Sequence, residues 1–553
     1  MVMAAHVPKP PGYLQMLTSG ARYFSGLEEV VYRNIEACKE LSQSLRATYG
    51  PSGLNKLVVS HLQKILVTGD SSTVLREYQI EHPAANMLVL AMKMQEEEVG
   101  DGRTLVLLLA GSLLDRAGSL LRSGLSVPEV IKGYCQGCQR ALEVLDELCC
   151  GQLEAPLDEG AVANTVRTPI MSKQCGYEGP LSQLVARSCV VVCSGGHGVF
   201  DPDLVRVCKV LGAGVGDSVV LGGMAFKKEA ESLVTSVRDA RVAVYSCPFE
   251  LSRPETKGTV LLQGPADMLG FGDGEERLME AQVRALLQAG VTVLVVGGKV
   301  GDLALHYADQ HQLMVVRLHS RHELTRLAKA VGATPLLKLG TPSPEELGNC
   351  DRVYLQEVGS TQLVVFEQEK GAPAVATILL RGPLHGLQDQ LEEAIRDGVS
   401  TYRSLGLDPR LVPGAGATEV ELALRVAAHG ASCPSLEQYA IQEYARSFQD
   451  VAEALVRNAG DQEQQVIARL YAAHQEGHRN LGFDMESGGT DLLDAAEAGI
   501  WDPLLVKRSA IRLATNAAVT VLSVDQIIMA KKSGGPKPRG DNPNWDEPPD
   551  HID

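Results

Sequence analysis

Val99-Gly100-Asp101-Gly102-Arg103-Thr104 is the stretch whose residue types most directly suggest chemistry. Two glycines around one aspartate link two long helical stretches, Pro83 to Glu98 and Thr104 to Leu121. So tight a link points the free backbone N–H groups of the second helix outward, and those orphan donors, aided by the helix dipole, suit a phosphate. Asp101 has the chemistry to hold a hard cation beside it, because Mg²⁺ takes few protein carboxylates and completes its shell with water and phosphate oxygens. Taken alone, a short Gly-Asp-Gly link is more often plain turn chemistry. A second aspartate stands upstream in Gly69-Asp70-Ser71-Ser72-Thr73, again before a helix-like run. Its plainer reading is a helix N-cap.

The chain that must position these loops has 553 residues, a formal net charge of -17, 45% apolar residues and only 4% aromatics. At ~100–200 residues per domain this predicts about three or four domains, with cores of Leu, Val, Ile and Ala. The acidic balance argues against a nucleic-acid partner, which would require a basic face. Met1 to Tyr13 carries prolines and no signal-like apolar core. The strongest membrane candidate, Leu105 to Leu114, is shorter than the ~18 residues a span requires, so no membrane partner is expected. Twelve cysteines are scattered without a framework, which reads as reduced thiols in a cytoplasmic protein. Cys135 and Cys138 form a C-x-x-C inside the helical stretch Val127 to Leu148 without histidine partners, so buried thiols are a better reading than zinc.

In order, residues 1–20 read as loose. Phe24 to Tyr49 has helical spacing and stops at Tyr49-Gly50-Pro51-Ser52-Gly53. Strands follow at Asn55 to Ser60 and Lys64 to Thr68, then helices to about residue 150. Gln152 to Gly160 reads as a linker, Val162 to Lys173 as mixed, and Gly179 to Cys193 as helix. From about Val215 short apolar strands alternate with helices: Arg241 to Ser246, Val291 to Val296, Leu313 to Leu318 and Pro335 to Leu339. This is α/β patterning. A hairpin is expected at Arg352 to Val358 and Gln362 to Glu367. Gly212-Ala213-Gly214-Val215-Gly216 shows no preceding strand and reads as a hinge rather than a dinucleotide loop. Ala376 to Gly382 is a strand. Helices then resume, interrupted by Leu411-Val412-Pro413-Gly414-Ala415-Gly416-Ala417, and a strand-like run closes at Ser523 to Ala530. Helical ends around an α/β middle suggest that the middle is inserted into one helical domain.

Taken together, the loops resemble one family, the group II chaperonins. Its phosphate loops look like Thr48-Tyr49-Gly50-Pro51-Ser52-Gly53, Gly69-Asp70-Ser71-Ser72-Thr73 and Gly100-Asp101-Gly102-Arg103-Thr104. Val412-Pro413-Gly414-Ala415-Gly416-Ala417 resembles its Val-Pro-Gly-Gly-Gly-Ala loop. Gly499-Ile500-Trp501-Asp502-Pro503 and Thr515-Asn516-Ala517-Ala518 resemble its C-terminal nucleotide wall. The likeness covers nearly the whole chain. The segments Met224 to Glu229, Ala243 to Phe249 and Val524 to Lys531 resemble one subunit type of the eukaryotic cytosolic T-complex branch, with departures that suggest a paralogue.

The resemblance implies an α/β multidomain fold of group II chaperonin architecture. Residues 1–150 and 408–532 would form a helical equatorial ATPase domain, 151–214 and 376–407 a small intermediate hinge domain, 215–375 an α/β apical substrate domain, and 533–553 a disordered tail. It implies ATP and Mg²⁺ as cofactors. Its partners would be other chaperonin subunits in a hetero-oligomeric double ring, and unfolded clients. Asp101 would hold the metal, with Gly102, Arg103, Thr104 and Leu105 supplying backbone around the phosphates. Tyr49, Gly50 and Pro51 would line them from the other side. Asp70 and Asp397 would flank the attacking water, with Asp397 the better candidate to orient or deprotonate it. Gly414 and Ala415 would face the ribose and Asp502 its hydroxyls, while Met171 and Lys173 match the nucleotide-sensing loop. Phosphoryl transfer needs mainly positioning and charge neutralisation, which such a set supplies.

Several positions depart from the family pattern, Gly69 and Ser71 loosening the Asp70 loop among them. Arg103 stands where a small polar residue is usual, and can either stabilise nucleotide or block the pocket. Ala415 replaces the middle glycine of a three-glycine loop; at positive φ that costs ~1 kcal/mol or somewhat more. Two function classes follow: an ATP-driven chaperonin subunit, or a catalytically weakened paralogue acting as a structural or interaction protein outside the ring. A small-molecule enzyme built on the middle domain ranks last, because Val215 to Thr377 assembles no nucleophile, base and orienting acid.

Overall fold

The computed structural model describes residues 22–529 except 25–26, 61–62, 64, 79, 154, 195–199, 251–263, 369–372 and 487–491. The loose N-terminus, the tail beyond residue 532 and residues 251–263 lie outside the described residues.

The chain begins β1 (Arg22–Phe24), α1 (Leu27–Arg46), β2 (Lys56–Val59), β3 (Ile65–Thr68), α2 (Ser71–Glu77), α3 (Pro83–Glu98), α4 (Arg103–Arg122) and α5 (Val127–Glu147). Next come β4 (Gly151–Gln152), α6 (Glu159–Lys173), α7 (Glu178–Cys193), β5 (Val205–Leu211), β6 (Val219–Phe226), β7 (Ser236–Tyr245), α8 (Pro265–Gln288), β8 (Val293–Val296) and α9 (Asp302–Gln310). They are followed by β9 (Met314–Arg317), α10 (Arg321–Val331), β10 (Gly348–Val358), β11 (Thr361–Glu367), β12 (Ala376–Gly382) and α11 (His385–Leu407). The chain returns through β13 (Arg410–Pro413), α12 (Ala417–Ser432), α13 (Glu437–Ala459), α14 (Glu463–Gln475), β14 (Leu481–Phe483), β15 (Leu492–Asp494), β16 (Trp501–Pro503), α15 (Leu504–Leu522) and β17 (Ile527–Met529).

Both ends of the chain share one apolar core, in which Val31 to Leu148 packs with Val412 to Leu522. Strand β17 pairs antiparallel with β1 and ties the two ends together. A second core joins α6 and α7 to α11, with Val162, Val166 and Ile170 against Leu391, Ala394 and Ile395. The inserted middle is an eight-stranded mixed sheet in the order β5-β12-β6-β11-β10-β7-β8-β9. Strands β7, β8 and β9 run parallel to one another. Their alternate residues enter two different cores, Val293 and Val295 on one face and Leu294 and Val296 on the other. A strand covered on both faces reads as an unbroken apolar run, which is why these strands stood out in the sequence.

Four details differ from the sequence expectation. Pro335 to Leu339 is not a strand, although Leu336 makes an isolated bridge to Tyr245. The mixed stretch before Lys173 is the continuous helix α6, which carries Pro169 inside it and is capped by Asp158. The Gly212 loop does follow a strand, β5, and left-handed Gly212 and Ala213 turn the chain there. Helix α4 is a full 20 residues. By length and composition it could cross a membrane, yet 72% of its apolar window is buried inside the protein. It is a core helix, with Leu107, Leu109, Leu113 and Leu114 fully buried.

Candidate functional site

Helix α4 begins at a loop that only glycine suits. Gly100 (φ 90°) and Gly102 (φ 76°) are both left-handed, a region costly to side chains with a Cβ. Gln95, fully buried on α3, donates from Nε2 to the Asp101 carbonyl at 2.8 Å and to the Val506 carbonyl at 3.3 Å, fixing the loop between α3 and α15. The Asp101 carboxylate accepts from the Gly102 N–H at 2.6 Å. Burial raises its pKa, against the opposing pull of that N–H and of Lys173 and Arg103.

The second small-residue loop opens α12 in the same manner. Gly416 (φ 82°) is its left-handed N-cap. Ala415 is itself left-handed at φ 54°, so alanine stands at a position where glycine would be relaxed. Its carbonyl accepts from the Phe483 N–H at 2.9 Å.

These loops border one cavity of about 450 Å³, lined by Tyr49, Gly50, Pro51, Asp101, Gly102, Arg103, Thr104, Leu105, Met171, Lys173, Ala415 and Asp502. That volume suits a ligand of nucleotide size. Gly414 is not in the wall; it lies behind it, where a Cβ would meet Ile500 Cγ2 at 2.9 Å and Asp502 Oδ2 at 3.5 Å. Asp70 and Asp397 are not in the wall either. They are 2% and 1% exposed, bound to two cations that do line it.

Arg103 is the centre of that arrangement. One guanidinium nitrogen, Nη2, donates to Asp397 Oδ1 at 2.5 Å and lies 3.1 Å from Asp70 Oδ1. Nη1 lies 3.6 Å from Glu96 Oε1. Lys173, at the C-terminal end of α6, donates to Asp70 Oδ1 at 3.1 Å and lies 3.8 Å from Asp397 Oδ2. Asp70 also caps α2, its Oδ2 accepting from the Thr73 N–H at 3.0 Å and the Thr73 hydroxyl at 2.9 Å. The capping reading and the ion-pair reading therefore both hold for Asp70, and both of its oxygens are engaged.

The two aspartates titrate in opposite directions. Burial alone would raise Asp70, but Lys173, Arg103 and the Thr73 N–H outweigh it and hold the carboxyl well below the usual range. For Asp397 burial wins, and its pKa is pushed up to about 7 against the pull of Arg103 and Lys173. Its Oδ2 accepts no hydrogen bond from the described residues. A buried carboxylate with one oxygen free of hydrogen bonds and a pKa near neutrality has the properties of a general base.

Sequence reasoning missed a second ion cluster in the cavity wall. Buried Lys507 bonds Glu419 and lies 2.9 Å from Asp502 Oδ2. Burial would lower its ammonium, yet Asp502 and Glu419 raise it well above the ordinary value. The available signal was a lysine among the apolar positions of α15. Glu393, one turn before Asp397 on α11, was also missed; it accepts from the Thr68 hydroxyl at 2.7 Å and ties α11 to the Asp70 loop.

Among the described residues no cluster of three or more His, Cys, Asp or Glu could hold a metal alone. A cation at Asp101 would therefore depend on phosphate oxygens for its remaining positions, which is how Mg²⁺ binds with nucleotides. The donor set fits Mg²⁺ in that mode.

Comparison with known proteins gives the chain its family. The profile of the TCP-1/cpn60 chaperonin family matches residues 41–532. The chain is 54% identical over 546 residues to T-complex protein 1 subunit theta of Gallus gallus, covering 99% of both chains. Identity to the human protein of that name is also 54% over 99% of each chain, and to the Caenorhabditis elegans protein 43% over 97% of this chain and 98% of its relative.

Proposed function

The chain belongs to the TCP-1/cpn60 chaperonin family, and on that premise we propose that it is an ATP-dependent chaperonin subunit that assists the folding of cytosolic proteins. The observation that carries the ATP reading is the 450 Å³ cavity at the junction of two cores, walled by the α4 N-terminus, Asp101 and Lys173. By likeness to the theta chains, its partners are other subunits of a hetero-oligomeric double ring and unfolded clients in the cytoplasm. The core shared by the chain ends corresponds to an equatorial domain, the core around α11 to an intermediate domain, and the inserted sheet to an apical domain.

Within this reading the N–H groups at the start of α4 bind the phosphates. Tyr49, Gly50 and Pro51 close the opposite wall, Ala415 borders the ribose, and Asp502 accepts from its hydroxyls. Gly414 acts from behind the wall by allowing the close approach of Ile500. Bound through Asp101, Mg²⁺ would neutralise charge on the phosphates. Asp397 orients the attacking water and accepts its proton at Oδ2, the oxygen that carries no hydrogen bond, while Lys173 offers a positive charge nearby. Asp397 belongs to the second core and Asp101 to the loop opening a helix of the first. Movement between the two cores would assemble or break the site, coupling nucleotide to the position of the inserted sheet.

The test is to isolate the full chain from cytosol under native conditions and measure its assembly size and ATP binding. Co-migration with other chaperonin subunits, together with ATP binding, is expected. A free monomer that binds no ATP overturns the proposal.

A further inference from the structure

Resting on the nucleotide-site reading, we propose that Arg103 is a built-in brake on hydrolysis: it occupies the carboxylates that would hold the attacking water, so this site retains ATP but turns it over slowly. Three observations carry this. Arg103 is only 6% exposed, and a single nitrogen reaches both Asp397 Oδ1 and Asp70 Oδ1. With Lys173 on Oδ1 and Thr73 on Oδ2, Asp70 has no open oxygen. The cavity wall contains Arg103 and Lys173 but neither aspartate. Of four carboxylate oxygens, only Asp397 Oδ2 accepts no hydrogen bond from the described residues, and it is itself buried, 3.8 Å from Lys173 Nζ.

Hydrolysis forms a bond from the water oxygen to the γ-phosphorus, breaks the bond to the β–γ bridging oxygen, and sends the water proton to Asp397. Arg103 opposes this step in two ways. It holds one Asp397 oxygen in a charge-assisted bond, which makes the carboxylate a poorer base. It also places a bulky planar fork between the two carboxylates, where a residue with a small side chain would leave room. Its own N–H remains part of the α4 N-terminus, so the backbone contribution to phosphate binding survives. Breaking a buried ion pair is costly, so the arginine does not readily leave. Arg103 acts through Asp397 and is a positioning residue.

The test uses the full-length chain in the assembly in which it is isolated, with Arg103→Thr and the size-matched neutral Arg103→Gln. ATP affinity is read by calorimetry with Mg²⁺, and turnover by phosphate release. The expected result is a rise in kcat of ~10-fold or more in either variant, within reach of what an effective general base contributes, at little-changed ATP affinity. Arg103→Gln carries the test if Arg103→Thr does not fold. An unchanged or lower kcat overturns the brake; a lower one would make the arginine an accelerator. Binding by the variants but not by the parent chain also overturns it, because the arginine would then exclude nucleotide. If folded parent and variants all fail to bind ATP, the nucleotide-site reading fails and the brake with it.

Discussion

Helices α4 and α12 start alike and border the same cavity, yet their loops differ in what a departure from glycine or a small polar residue does. At the α12 loop the change is Ala415, and its consequence stays in the backbone: a left-handed φ of 54° and a Cβ beside Gly482. No charge is added. At the α4 loop the two glycines are kept, and the change is one residue later, at Arg103. Its consequence is entirely in side chains, because the guanidinium engages Asp70, Glu96 and Asp397 from three different segments. On the proposed reading the α4 loop binds phosphate through its backbone and keeps that role whatever its side chain, while Arg103 pairs with the carboxylates behind it, so binding and turnover would be altered separately.

The largest effect expected from breaking this contrast is at Asp397. Asp397→Asn keeps the shape but removes the base, and ATP turnover should fall ~100-fold or more, with ATP affinity nearly unchanged. Phosphate release measured beside calorimetry checks this, and equal turnover would place the base elsewhere. Next is Gly100→Ala, which asks whether the α4 loop is as tolerant as the α12 loop. The new Cβ would lie 2.4 Å from Ser400 Cβ at φ 90°. Left-handed strain and overpacking together should destabilise the fold by ~2–4 kcal/mol, read from the denaturant midpoint.

The two carboxylates behind Arg103 should also separate by pH. Asp397 has a folded pKa of about 7, above the ~4 of an unfolded aspartate. The unfolded state therefore ionises first, and Asp397 erodes stability as pH rises from ~4 to about 7. Asp70 is depressed, so its stabilisation is complete above ~4 and is lost as pH falls below that value. Denaturation of Asp397→Asn and Asp70→Asn across pH should show slopes changed in opposite senses. Turnover should rise with pH through about 7 as Asp397 becomes ionised. A flat profile would count against Asp397 as the base. The smallest effect is expected for Ala415→Gly, which relieves the strained φ and should raise stability by up to ~1 kcal/mol without altering kcat. A fall in kcat there would mean that the two loops are not separable.

Much of this was legible along the chain because it is local. The apolar period and first-turn proline marked Pro83 to Glu98 with the bounds that α3 has. The Gly-Asp-Gly link marked a turn into a helix, and the residues expected around a nucleotide mostly border one cavity. Less local features were misread. Pro169 disguised α6, because proline lowers helix propensity even where packing against α11 sustains the helix. Leu336 sits beside β7 by a single bridge, which no local pattern distinguishes from a strand.

The sequence by itself determined the family, the helix-opening loops and the presence of the carboxylates, since each depends on residue type and short spacing. Only the tertiary structure decided which carboxylates are paired and with what. Arg103 and Asp397 are 294 positions apart, and the spacing of a chain does not reveal whether an arginine will turn toward solvent, phosphate or aspartate. That choice is made by burial: once α11 packs over the Asp70 loop, the charges enclosed there must pair with one another.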